Sequence, residues 1–229
     1  MTPEFLPVGD RAVRAAFGAE ISPLINGYIQ RFCHRLAAEP VRGVTEWVPG
    51  YAAVLVYYRP WDVGYAALCA ALAERAGERL DAPAPETRRV EIPVCYGGEY
   101  GPDLDEVAAR HGLSPAQVIE RHAGTDYLVY FLGFLPGFPY LGGLDPALAT
   151  PRRATPRPHV PAGAVGIAGS QTGVYPLETP GGWQIIGRTP LRLYDPNRQP
   201  PALLAAGDNV RFIPITTFQF EEILADAPR

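Results

Sequence analysis

The stretch Val160–Pro176, VPAGAVGIAGSQTGVYP, decides the fold of this chain. Its apolar residues come in runs too short for a helix, and a glycine or proline interrupts each run. Two other stretches behave alike: FLGFLPGFPYLGG over Phe131–Gly143 and TPGGWQIIGRTP over Thr179–Pro190. Residues 133–190 hold 11 glycines and 10 prolines among 58 positions. Short runs such as Val165–Ala168, Trp183–Ile186 and Leu191–Tyr194 between turn residues predict strands, and together they predict a small β-barrel or sandwich with tight loops.

Working outward, Arg88–Cys95 alternates Val90, Ile92 and Val94 and predicts a strand. Asp103 and Asp105, and then Ser114-Pro115, mark the starts of two short helices. Ala206-Gly207-Asp208 turns the chain into a closing strand, Asn209–Ile215, with a helical turn over Phe218–Ala225. On the other side lies DAPAPE, Asp81–Glu86, a proline-rich linker. Before it come a strand over Ala12–Phe17 and a helix that Ser22 caps and Pro23 starts. Leu24, Ile25, Tyr28, Ile29, Phe32 and Leu36 recur at helical spacing until Pro40. Strands Gly43–Val48 and Ala52–Tyr58 follow around Pro49-Gly50. A second helix then runs from Trp61 to Arg79, with Tyr65, Leu68, Cys69, Leu72 and Ala76 on one face. The expected class is α+β: a small N-terminal α/β sandwich over 1–81, with both helices on one face of its sheet, and a β-barrel domain over 88–229.

Composition removes several function classes. The chain has 229 residues, 47% of them hydrophobic and 19% charged, as a globular protein requires. All 20 basic residues are arginine. With no lysine there is no P-loop lysine, no Schiff base and no Ser–Lys catalyst in this chain. GxSxG and HExxH are absent too. A net charge of −4 gives no basic footprint for nucleic acid. Cys33, Cys69 and Cys95 are odd in number and form no CxxC, so no metal site or disulfide framework is expected. Cys33 and Cys69, inside expected helices, read as small buried hydrophobes, and the cysteine usage suits a reducing compartment. With no leader pattern and no run of 18 apolar residues, the expected location is the cytoplasm, with no membrane contact.

The glycine-dense stretches are where the backbone can approach a ligand, although turns and aromatic wedges are the plainer reading of any one glycine. Arg152, Arg153 and Arg157 cluster before His159 and have the chemistry to hold a carboxylate or phosphate; a solvated basic loop is the alternative. Between Pro146 and Arg192 five arginines, including Arg188, face one acid, Glu178, and that +4 asymmetry favours a small anionic substrate. Gln171 and Thr172 sit between glycines, where an amide or hydroxyl meets a polar ligand or closes its own turn. His159 is the single histidine of the stretch and a candidate proton shuttle; a structural or simply exposed histidine beside prolines is the alternative. Tyr175 and Trp183 either wall a ligand or fill the barrel core. Glu178 and Asp145 are the candidate bases. His34, His111 and His122 lie in helical stretches without metal-like pairing.

The three glycine-rich blocks, in this order and at this spacing, together with FLPVGDRAV at Phe5–Val13, resemble the B subunit of bacterial 5-oxoprolinase, the KipI or allophanate-hydrolase-subunit-1 family. The resemblance spans nearly the whole chain. It implies a cyclophilin-like β-barrel of carboxyltransferase C/D type over 88–229. It implies partners, the enzyme's C subunit (KipA-like) and its A subunit, in a hetero-oligomer that opens 5-oxo-L-proline to L-glutamate with ATP. ATP is expected at the level of that complex and is not evident in this chain. Other members are connected with inhibition of a sensor histidine kinase and with urea carboxylase or allophanate hydrolysis. The expected site comprises Gln171 and Thr172 of the matched blocks, with His159 just upstream of them, as catalytic groups. Arg153, Arg157, Tyr175, Trp183 and Arg188 are its expected substrate contacts.

Overall fold

A computed structural model describes residues 2–77 and 87–226. It divides into two compact units, Met1–Thr87 and Arg88–Arg229. The expected linker Asp81–Glu86 and the end of the expected second helix lie outside the described residues.

The first unit is a four-stranded antiparallel sheet of β1 (Glu4–Val8), β2 (Ala12–Ala16), β3 (Val44–Pro49) and β4 (Ala53–Tyr58), in the order β1-β2-β4-β3. Helices α1 (Pro23–Ala38) and α2 (Tyr65–Gly77) complete its core. In α1 the helical spacing puts Ile25, Ile29, Phe32 and Leu36 on the buried face. Each contributes about 1.5–3 kcal/mol by leaving water. Three expectations need correction. Strand β1 has no counterpart among the expected elements. Ser22 is extended but caps no amide, so Pro23 alone starts α1. The second helix begins at Tyr65, because Arg59–Asp62 is a turn closed by the Asp62 amide on the Arg59 carbonyl at 3.0 Å.

The second unit is built on a closed seven-stranded barrel. Its strands are β5 (Arg89–Tyr96), β6 (Asp126–Leu132), β7 (Pro139–Gly142), β9 (Ala164–Ala168), β10 (Gln171–Val174), β12 (Gln184–Arg188) and β13 (Asn209–Pro214). The order β10-β7-β6-β13-β5-β12-β9 closes on itself through the β9–β10 hairpin. Every pair is antiparallel except β13 with β5, the first and last strands of the unit. Helices α3 (Leu104–Arg110), α4 (Pro115–Ala123) and α5 (Thr217–Asp226) accompany it, and β8 (Arg157–Val160) pairs with β11 (Thr179–Gly181) as a separate ribbon. Ser114 and Gln117 form a reciprocal capping box that starts α4.

Leu191–Tyr194 is not the expected strand. Arg198 donates to the carbonyls of Arg192, Leu193, Pro200 and Pro201 and holds this segment as a loop. Among the described residues no helix is long and apolar enough to cross a membrane.

Candidate functional site

Period-two alternation in the Val160–Pro176 stretch builds two cores at once. Val165 and Ile167 of β9, Val174 of β10 and Ile186 of β12 point into the barrel. Their neighbours Ala164, Ala168, Tyr175 and Ile185 belong to a second cluster outside it, with Phe138, Val160 and Trp183. Gly166 and Gly173 lie opposite each other across β9 and β10. A Cβ on Gly173 would come within 3.1 Å of both the Phe138 and Trp183 rings. The central glycines therefore serve first to let aromatic rings lie close on the strands, and the ligand surface is made by the rings.

Phe138 sits at the centre of that cluster, edge-on to Tyr175 at 5.5 Å and to Trp183 at 5.6 Å. These three, with Phe134, Tyr140, Arg152, Pro156 and the Pro180–Gly182 backbone, line a pocket of about 320 Å³. It is a mainly apolar concavity with one cationic side chain, the make-up of a small-molecule site. Burial pushes the Tyr175 hydroxyl up to about 12, against the pull of the Trp183 backbone amide and of Arg152 and Arg157. The hydroxyl is thus a protonated donor at neutral pH. Gly181 faces that oxygen, and a Cβ there would lie 2.5 Å from it. Gly181→Ala is expected to push Tyr175 out of the wall and to destabilise the unit by roughly 1–3 kcal/mol, read as a fall in thermal midpoint. An unchanged midpoint would show that the ring yields freely.

The pocket wall is fastened from behind. Asp103, 3% exposed, accepts from Arg153 Nη1 at 2.9 Å, Arg157 Nη2 at 2.6 Å and the Ile185 amide at 2.6 Å. The Arg153 amide donates to the Gly182 carbonyl at 2.7 Å, and Gln184 Nε2 to the Pro151 carbonyl at 3.1 Å. Arg153 and Arg157 are consequently spent on a buried carboxylate, and Arg152 is the arginine that faces the pocket.

The structure brings together Tyr175 and Trp183 of the expected site and leaves the others elsewhere. Thr172 is fully buried on the barrel side of β10. Its hydroxyl donates to the Gly166 carbonyl at 3.0 Å and so accepts from His122 Nε2 at 2.9 Å. That fixes the His122 tautomer, and Nδ1 accepts from the Tyr96 hydroxyl at 2.8 Å. Burial lowers His122 to about 3, so it is neutral, stacked 4.7 Å from Phe212. Thr172 is thus part of a closed packing network and does not line the pocket. His159 is exposed on β8, with Nδ1 3.2 Å from Glu178, outside the pocket. Gln171 opens β10, half-buried, and does not line the pocket. Arg188 donates to the Ala162 carbonyl at 2.9 Å and lies over Phe220. Asp145 caps the Pro146–Leu148 turn and pairs with Arg121 at 2.9 Å. The three cysteines are free, and burial pushes Cys33 up to about 12, which keeps it an unreactive thiol. Among the described residues no group of His, Cys, Asp and Glu is placed to hold a metal ion. Sequence reasoning missed Phe134, Phe138, Tyr140, Pro156 and Asp103. The aromatic repeat inside FLGFLPGFPYLGG was the available signal for the first three.

Residues 3–204, which reach into both units, match the family described as carboxyltransferase domain, subdomain C and D. The chain is 46% identical over 219 residues to the 5-oxoprolinase B subunit of Bacillus subtilis, covering 91% of each. It is 50% identical over 208 residues to the 5-oxoprolinase B subunit of Escherichia coli O157:H7, covering 90% of this chain and 94% of that one. Among solved structures it resembles TTHA0988 with a TM-score of 0.79 and 41% identity; the match covers 90% of this chain and 40% of that one.

Proposed function

This chain belongs to the family of 5-oxoprolinase B subunits, and from that membership we propose that it serves as the B subunit of an ATP-dependent 5-oxoprolinase, with its aromatic pocket holding the substrate. The observation that carries the functional reading is 46–50% identity over nine-tenths of the chain to proteins of that name.

The pocket chemistry agrees with such a ligand. 5-Oxoproline is a small five-membered lactam with a carboxylate. Its methylenes match the faces of Phe138, Tyr140 and Trp183, and its carboxylate matches the Arg152 guanidinium. The protonated Tyr175 hydroxyl is suited to donate a hydrogen bond to the lactam oxygen, where charge builds as the ring opens. An amide is a poor electrophile, and ATP supplies its activation in the assembly. Phosphate contacts in this proposal come from the A and C subunits, since the chain has no lysine and Asp103 occupies Arg153 and Arg157.

Reconstitution tests the reading. The A, B and C subunits together are expected to hydrolyse ATP only when 5-oxoproline is present, and omission of this chain is expected to abolish that dependence. Full 5-oxoproline-dependent hydrolysis without this chain would refute it, as would a complete assembly that ignores 5-oxoproline.

A further inference from the structure

The β6–β7 loop carries a backbone feature that packing does not explain. Among the described residues Phe134 is the only non-glycine residue with a positive φ, at 63°. The Leu135 amide donates to the Gly133 carbonyl at 2.7 Å, which closes a γ-turn centred on Phe134. A γ-turn with positive φ is rare and strained for an L-residue. Immediately after it, the Phe138 amide donates to the Leu135 carbonyl at 3.0 Å around Pro136 and Gly137, with Gly137 at φ 78°. The residue order and the positive φ at its third position are those of a type II β-turn. The Gly133 amide closes the loop on the Phe138 carbonyl at 3.1 Å.

Three hydrogen bonds thus hold Phe134 in its strained position. The ring so presented is 65% exposed and stands edge-on to Phe138 at 5.6 Å, on the lining of the pocket. A large apolar side chain mostly in water gains little from folding, and the backbone there suits glycine better. Strain kept at such a position points to a role outside stability.

We infer that Phe134 is a specificity-determining residue of the pocket, a rigid aromatic wall against the apolar face of a small cyclic carboxylate. The inference rests on the pocket reading above. A preorganised ring binds without the ordering penalty of a mobile one, and its exposed area is covered when the ligand enters.

The test assembles the complete complex with wild-type, Phe134→Gly and Phe134→Ala chains. It measures KM and kcat for 5-oxoproline-dependent ATP hydrolysis, and the thermal midpoint of each chain. The expected result is a KM raised roughly 5- to 30-fold in both variants, with kcat within about twofold. The glycine variant is expected to melt at or above the wild type and above the alanine variant. A KM unchanged in both variants overturns the inference and leaves the pocket reading standing. A raised KM confined to variants that melt below the wild type makes the role structural and also overturns it. No 5-oxoproline turnover by the wild-type assembly overturns the pocket reading, and this inference with it.

Discussion

Asp103→Ala is expected to lower the stability of the barrel unit by about 2–4 kcal/mol. Breaking a buried charge pair by removing one partner costs about 3–5 kcal/mol. The lower range applies here because the Arg153 and Arg157 side chains are 32% and 24% exposed, so water takes up part of the loss. The arginines are already short of acceptors: Arg153 Nε and Arg157 Nη1 are buried with no partner. Removing the carboxylate also strands the Ile185 amide. For a chain of this size the thermal midpoint should fall by about 5–15 °C. Asp103→Asn, which keeps an oxygen for that amide, should fall less. A midpoint for Asp103→Ala within about 2 °C of the wild type would show that the arginines find other partners.

The second large effect is on pH. The folded state holds His122 neutral to about pH 3, because burial removes the solvation its cation would need. An unfolded chain protonates the same ring near pH 6.5. Above that pH both states are neutral and the group adds no pH dependence. As pH falls from about 6.5 toward 3, the unfolded state binds the proton first, and stability drops by about 1.4 kcal/mol per pH unit. By pH 4 this group alone accounts for about 3 kcal/mol. Denaturant melts at pH 7, 6 and 5 read the slope directly. In His122→Gln the slope over that interval should flatten, whatever the variant's absolute stability. A wild-type stability that is flat from pH 7 to 5 would mean that the barrel admits the imidazolium.

Much of the fold was legible because it is written locally. The 3.6-residue spacing in α1, the alternation in β5 and the Ser114-Pro115 start of α4 each needed only a few neighbouring residues. The resemblance supplied the barrel's kind. Non-local pairing was not legible: nothing within β13 announces that it runs parallel to β5, 120 residues earlier at Asn209 and Arg89. Strand β1 was hidden by Pro7, which an edge strand tolerates because one side of it has no neighbour. Leu191–Tyr194 has the composition of a strand, but Arg198 a few residues on binds the Arg192 and Leu193 carbonyls, and the Leu203 amide shares the latter.

The site was half legible for the same reason. Aromatic residues in a glycine-rich block do mark a surface, and Tyr175 and Trp183 line it. Positive charge counted along the sequence overstated what is free for a ligand, because Asp103, 50 residues before Arg153, binds both Arg153 and Arg157 in space. His159 was singled out by being alone in its stretch, yet it lies on the outer ribbon, while the buried His122 serves packing. The conformation of Phe134 has no sequence signature beyond the glycines at 133 and 137.

Arg152→Gln, assayed in the complete complex, addresses most directly the claim that this pocket holds 5-oxoproline. The variant keeps a polar, hydrogen-bonding side chain, shorter than the arginine, and removes the charge that would meet the carboxylate. The expected result is a KM for 5-oxoproline raised roughly 10- to 100-fold, as the loss of one charge-assisted contact implies, with the thermal midpoint and the assembly unchanged. A KM equal to the wild type's, in a complex that assembles and turns over normally, would contradict it and place the substrate elsewhere.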